Sequence, residues 1–256
     1  VSADGGGVRE VKSAARTIDV LEYLAGRQGT QTRLRDVADA LGAPRSSVYA
    51  LLQTLVGRGW VAVDPTGTHY SIGIRTLLAG TSYLDRDPRV RLVRPVIMDA
   101  ARRLGETVHL ARLDGDQVVY LATAESHEYT RVLLRVGRRL PAVYTSLGKA
   151  IMAHNRTSAP EVLPPPLTAM SVRDPAVLAA DLERTRQRGY AVDDQENIVG
   201  ISCYGFALRY DVPVRDAISC SVPRSRLSQT HTEQILEVTE EARARIEGSA
   251  PAVPQA

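Results

Sequence analysis

The sequence predicts an α+β chain of two domains, a small helical one carrying a short β-ribbon and, behind it, a larger one of strands and helices. Three observations carry this. Apolar residues recur at helical spacing through the first sixty or so positions and are followed there by two short β-like runs. From Thr107 the period changes from 3.6 to two. The chain has 256 residues, 44% hydrophobic and 24% charged, which is enough for two separate cores in an ordinary globular composition.

Composition narrows the function classes. No apolar run approaches the ~20 residues that span a bilayer, so no membrane partner is expected. Residues 1–7 are small and Gly-rich and lack the apolar core of a signal peptide. Residues 1–10 read as a disordered tail, with a second at 249–256. Cys203 and Cys220 are the only cysteines, and with no disulfide framework the expected location is cytoplasmic. Net charge is +3, and residues 8–75 hold nine basic against six acidic side chains. The whole excess therefore lies in the small domain, a mild bias that suits nucleic acid.

In the small domain (11–73), Ser13 is placed to cap a first helix with Ala14, Ile18, Leu21 and Ala25 as its apolar stripe. Thr32 is placed to cap a second, with Leu34, Val37, Ala38 and Leu41 at i, i+3, i+4 and i+7. Gly42 falls where a left-handed residue ends a helix. Ala43-Pro44 opens a third helix with proline in its first turn, and Val48, Leu51, Leu52 and Leu55 form its buried stripe. Helix, short Gly-containing turn, helix is the helix-turn-helix pattern. Two β-like runs, 60–63 and 68–72, flank the turn signal Asp64-Pro65-Thr66-Gly67 and make a wing.

The outer face of the third helix is short, polar and uncharged apart from Arg45 at its start. A solvated face usually carries Lys and Glu. Pro44, Arg45, Ser46, Ser47, Tyr49, Ala50, Gln53 and Thr54 instead suit contact with base edges in a DNA major groove. Thr66, Thr68 and His69 of the wing are placed to reach phosphates, and the basic Arg16 and Arg33 complete the candidate DNA contacts. The competing reading is a three-helix packing module that meets only protein.

Residues 74–87 form a linker helix with Ile74, Leu77 and Leu78 at helical spacing. The second domain (88–248) opens with Pro88 in the first turn of a helix. That helix buries Val90, Val93, Ile97, Ala100, Ala101 and Leu104 and keeps its arginines in solvent. Strands are expected at 107–113 and 118–122 around the turn Asp114-Gly115-Asp116, then at 132–136, 190–192, 201–208 and 214–222. Thr145-Ser146 caps a helix over 147–153, and 157–166, with four prolines, is a loop. A helix spans 175–188, and Thr230-His231-Thr232-Glu233 is a capping box for a last one. The sheet is mixed or antiparallel. The turn Thr145-Ser146-Leu147-Gly148-Lys149 points amides and hydroxyls at a helix N-terminus, which suits an anion such as a carboxylate or serves only as an ordinary cap. Asp194 and Glu196 either bind ligand hydroxyls or pair with Lys149 or a neighbouring arginine.

Several chemistries lack their motifs. The histidines and cysteines have no metal-ligand spacing, so no metal or cofactor is expected. There is no Gly-x-Ser-x-Gly elbow, dinucleotide fingerprint or P-loop. An enzyme acting on a small acid through Cys203 or Lys149 is the alternative from a different class.

Specific runs resemble the IclR family of bacterial transcription regulators. They are Ser13-Ala14-Ala15-Arg16-Thr17-Ile18-Asp19-Val20-Leu21, Leu34-Arg35-Asp36-Val37-Ala38, Ser46-Ser47-Val48-Tyr49-Ala50-Leu51-Leu52-Gln53-Thr54-Leu55, Gly59-Trp60-Val61 and Tyr70-Ser71-Ile72-Gly73. In the second half they are Val136-Gly137-Arg138-Arg139-Leu140-Pro141-Ala142, Ser146-Leu147-Gly148-Lys149-Ala150 and Glu196-Asn197-Ile198-Val199-Gly200-Ile201. Tyr204 and Phe206 stand where that family has small residues running into a proline. The resemblance implies a GAF-like effector-binding domain behind the winged helix-turn-helix, with the effector pocket at 145–149. It also implies that Ser202, Cys203 and Tyr204 face the pocket. The implied protein is a homodimer or tetramer that binds double-stranded operator DNA, most often as a repressor, and answers to a small-molecule effector, here a small carboxylate.

Overall fold

The computed structural model describes residues 10–27, 31–128 and 136–250; both expected tails fall outside these apart from residues 10, 249 and 250. The chain divides after Arg86 into two compact units.

The first unit runs α1 (Lys12–Gly26), β1 (Thr32–Arg33), α2 (Leu34–Ala40), α3 (Arg45–Gly57), β2 (Val61–Val63), β3 (His69–Ile72) and α4 (Ile74–Arg86). Its core joins Val20 and Leu24 of α1, Val37 and Ala38 of α2, and Val48, Leu52 and Leu55 of α3 with Val61 and Tyr70 of the wing. Gly42 has the expected positive φ. Four expectations fail. Helix α1 starts one residue before Ser13, with Val11 at its N-cap and no side-chain cap. It buries Val20 and Leu24, and Ile18 is 57% exposed. Thr32 does not cap α2: it pairs with Tyr70 as a third wing strand and is buried, while the Asp36 carboxylate accepts the Arg33 amide at 2.8 Å. Pro44 is the N-cap of α3 and not its first helical residue. The wing sheet therefore has the order β1-β3-β2, all antiparallel.

The second unit runs α5 (Pro88–Leu104), β4 (Thr107–Asp114), β5 (Gln117–Ala124) and β6 (Arg139–Pro141). After a 3-10 turn at Ala142–Tyr144 come α6 (Ser146–His154), α7 (Pro175–Arg188), β7 (Ala191–Asp194), β8 (Ile201–Leu208), β9 (Asp216–Pro223) and α8 (Gln229–Ser249). The strands form one antiparallel sheet, β6-β5-β4-β9-β8-β7. Helices α5 and α8 pack on each other and on one face; α6 lies on the other, with α7 beside it. Of the strand expected at 132–136, only Val136 is described, in a turn. The last helix is capped by Ser228, whose hydroxyl accepts the His231 amide at 3.1 Å, and not by Thr230, which already lies inside the helix.

Strand periodicity sorts the sheet's side chains. In β4, β7, β8 and β9 odd-numbered residues face α6: a Cβ on Gly205 would lie 2.4 Å from the Ser146 carbonyl oxygen, and Ala111, Ala191, Ala207 and Ala217 join the α6 core. Even-numbered residues face the helix pair, where Phe206 lies under the Arg243 guanidinium of α8. There Arg112 donates to both carboxylate oxygens of Asp216 at 2.6 and 2.7 Å. Arg112 also bonds Asp87, the N-cap of α5, and so fixes the start of that helix on the sheet.

Candidate nucleic-acid interface and effector site

On α3 the buried stripe leaves Pro44, Arg45, Ser46, Tyr49, Ala50, Gln53 and Thr54 exposed, with Ser47 half-buried. This is the face the sequence pointed to, brought together on one side of one helix. No side chain caps its N-terminus, so its first amides are left for water or a phosphate oxygen. The Thr54 hydroxyl donates to the Ala50 carbonyl at 2.8 Å, which aligns it along the helix. The wing residues have work inside the turn. The Asp64 carboxylate accepts the Thr66 hydroxyl at 2.6 Å and the Thr68 and His69 amides at 2.9 Å each, and these bonds hold it well below the usual carboxylate range. Arg33 reaches His69 through its Nε at 3.3 Å, tying β1 to the wing. Arg16 sits half-buried on α1.

In the second unit Thr145 caps α6, its hydroxyl accepting the Gly148 amide at 3.0 Å. A Cβ on Gly148 would lie 2.3 Å from the Ala142 carbonyl oxygen, so only glycine lets this turn fold so tightly. Thr145, Ser146, Leu147 and Lys149 are all buried. Lys149 donates to Asp181 of α7 at 2.9 Å and to Glu196 at 2.5 Å. Burial alone would push its ammonium down, but the two carboxylates outweigh that and hold it above its ordinary value. Of the two acids left open by the sequence, Glu196 is therefore a Lys149 partner. Asp194 pairs instead with Arg224 and accepts the Ser202 hydroxyl at 2.8 Å.

Parity corrects the expected pocket wall. Ser202, Tyr204 and Asp194 are even-numbered and point away from α6; Cys203 faces it. The residues that share its face are ones the sequence reading missed. Strand pairing sets Asp193 beside Cys203 and Cys203 beside Ser221, and in the next row Gly205 beside Ser219 and Ser219 beside His109. All are buried. Cys203 Sγ lies 3.1 Å from the Ser221 hydroxyl. His109 meets Tyr120 edge-on at 5.2 Å and Thr123 through Nδ1 at 3.1 Å, while its buried Nε2 has no partner among the described residues. Burial pushes that imidazole down to about 3, so it is neutral at pH 7. Burial also raises the Asp193 carboxyl to about 7; Lys149 pulls it down and Glu196 pushes it up. A buried polar row with an orphan ring nitrogen is costly unless something polar completes it. The alternation from Cys203 held the signal, but the register that aligns it with His109 and Ser219 is not written locally.

This surface does not suit covalent chemistry. Burial drives the Cys203 thiol well above its ordinary value, and the nucleophile is the thiolate. Lys149 stays charged between two carboxylates.

A winged helix-turn-helix with an open polar recognition face, joined in one chain to a domain with a buried polar site, defines a ligand-responsive DNA-binding transcription regulator and not an enzyme. Residues 13–65 match the IclR helix-turn-helix domain, and residues 81–247 match the bacterial transcriptional regulator IclR C-terminal domain. The chain belongs to the IclR family. It is 32% identical to the HTH-type transcriptional regulator BhcR of Paracoccus denitrificans, over 97% of this chain and 90% of that one. It is 28% identical to the transcriptional repressor IclR of Escherichia coli, over 86% and 82%. Among solved structures, an IclR-type regulator from Alicyclobacillus acidocaldarius superposes with a TM-score of 0.82 at 24% identity, covering 95% of this chain and all of that one. An IclR homologue from Microbacterium hydrocarbonoxydans, complexed with 4-hydroxybenzoate, gives 0.71 at 22% identity, over 93% and 100%.

Proposed function

We propose that this regulator is a cytoplasmic repressor that holds operator DNA as a homo-oligomer and releases it when a small carboxylate enters the two adjacent rows, Asp193-Cys203-Ser221 and Ser219-His109, beneath the start of α6. The observation that carries the effector reading is the His109 Nε2 in the second row, unpartnered among the described residues. A carboxylate or hydroxyl would satisfy it, with Asp193 in its protonated form as a donor. The 4-hydroxybenzoate bound by the Microbacterium homologue is an acid of this class. Repression is the mode named for the Escherichia coli relative. No helix among the described residues is long and apolar enough to cross a membrane.

Arg45, Ser46, Tyr49 and Gln53 read base edges, the open N-terminus of α3 meets a phosphate, and the backbone of the wing tip rides the adjacent strand. The oligomer forms through apolar side chains left in solvent. On α4 Ile74, Leu77 and Leu78 are 68%, 59% and 62% exposed, and α4 buries no residue at all. The test is a gel shift on DNA upstream of the protein's own gene, with a thermal-shift screen of small mono- and dicarboxylic acids. A stabilising acid that also weakens the shift is expected. An acid that stabilises the protein and leaves DNA binding unchanged would sink the coupling, and no shift at low salt would sink the DNA reading.

A further inference from the structure

At the end of α6 remote from Thr145 lies a second cleft, of about 440 Å³, lined by His154, Arg156, Thr185, Arg186, Gly189, Ala207, Arg209 and Arg243 with Ala150 and Ala153. Four arginines and a histidine converge there, and no acidic residue lines it. They come from separate places: His154 and Arg156 from the end of α6, Arg186 from α7, Arg209 from just past β8 and Arg243 from α8. Basic residues at a helix C-terminus are common for dipole reasons. That accounts for His154, for Arg156 and, in the last turn of α7, for Arg186, and not for Arg209 and Arg243.

Three of the arginines are braced from behind. Arg186 is held by Glu183 at 2.6 Å, Arg209 by Glu247 at 2.8 Å, and Arg243 by Glu240. These carboxylates sit outside the lining and fix the guanidinium planes without closing the cleft. The Arg243 guanidinium lies over the Phe206 ring, with its Nε buried and without a hydrogen-bond partner among the described residues. Arg156, in a left-handed backbone conformation at φ 56°, is exposed, and its charge is felt by Glu183. His154 is held below its ordinary value, first by partial burial and then by Arg209, with Arg243 adding to it against Glu247. Repulsion from Arg209 and Arg243 thus adds to burial in lowering the imidazole's proton affinity.

We infer that this cleft is a second ligand site, for a compact oxyanion of two or more negative charges. Phosphorylated metabolites and di- or tricarboxylates share that chemistry. The Nε–Nη2 edges of Arg186 and Arg209 are taken by Glu183 and Glu247, which leaves their Nη1 donors, with the Arg156 guanidinium, for such an anion. The site is separate from the rows under Thr145: its lining on α6 is Ala150, Ala153 and His154, which lie roughly 7–14 Å of helix beyond Thr145. Both sites therefore bear on the same short helix, and an anion at one end would change affinity at the other by the same factor in both directions.

The test uses the full chain and reads the His154 imidazole by NMR, which is blind to anions bound on the DNA-binding unit. Pyrophosphate and citrate are titrated separately across pH 5–8. Binding in the cleft replaces repulsion from Arg209 and Arg243 by attraction to the anion, so at least one of the two moves the His154 midpoint upward; the tighter one names the source class. Arg156→Gln and Arg209→Gln together should weaken that anion at least tenfold by calorimetry while the melting profile remains cooperative. A His154 midpoint that neither anion moves overturns the proposal. So does equal affinity in the folded double variant.

Discussion

Arg45 and Gln53 occupy the exposed face of α3 about two turns apart, and neither makes a side-chain contact that the fold needs. Replacing either by alanine should cost roughly 1–3 kcal/mol of specific DNA binding if it reads a base. Competition gel shifts against mismatched operators check this; unchanged discrimination in both variants would remove them from the readout. Asp193 gives a prediction of opposite kind. Its carboxyl keeps a proton up to about 7 in the folded chain, against an ordinary value of 3.8. Between those pH values the folded state holds a proton that the unfolded state has shed. Stability from this group therefore falls as pH rises through that window, by at most about 1.4 kcal/mol per pH unit, and levels off above it. Neutral His109 contributes the opposite slope below its ordinary value of 6.5, so urea melts from pH 5 to 8 should show stability falling more, or rising less, with pH in the wild type than in Asp193→Asn. Parallel slopes would mean that Asp193 ionises normally.

At the scale of elements, amphipathic helices were the most legible part of the chain. The buried stripe of α5 holds every apolar position the periodicity named, those of α2 and α3 hold it except for half-buried Leu34, Leu41 and Leu51, and α7 and β8 begin and end where the pattern placed them. The two-residue strand at Thr32 was not legible, because a strand so short has no period and exists only through its pairing with β3. The polar site was half legible for a related reason. The capped turn at Thr145 is local chemistry, and sequence finds it. Which neighbour of Cys203 shares its face depends on alternation, and what lies across from it depends on register, which is settled by partners many residues away. Gly205 shows how tightly that register is used. A methyl group there would overlap the Ser146 backbone, so Gly205→Ala should destabilise the domain by roughly 1–3 kcal/mol and lift α6 from the sheet. Denaturant melts measure the loss; an unchanged midpoint would show that α6 has room to yield.

For the whole molecule, the exposed apolar side chains of α4 are the feature a monomer has least use for. Leu77→Glu with Leu78→Glu should leave the thermal stability of the fold nearly unchanged, reduce the oligomer in sedimentation velocity, and weaken DNA binding more than tenfold through loss of the second half-site. An intact oligomer with full affinity would move the interface elsewhere. The parity of the large sheet has a consequence on another timescale. Side chains facing α6 and side chains facing α5 and α8 alternate along the same strands, so a substitution at position 193, 203, 219 or 221 alters the buried polar rows without touching the helix pair behind them. With the effector seated as proposed, single codon changes there would alter which inducer is answered while the layer that keeps the domain folded stays intact.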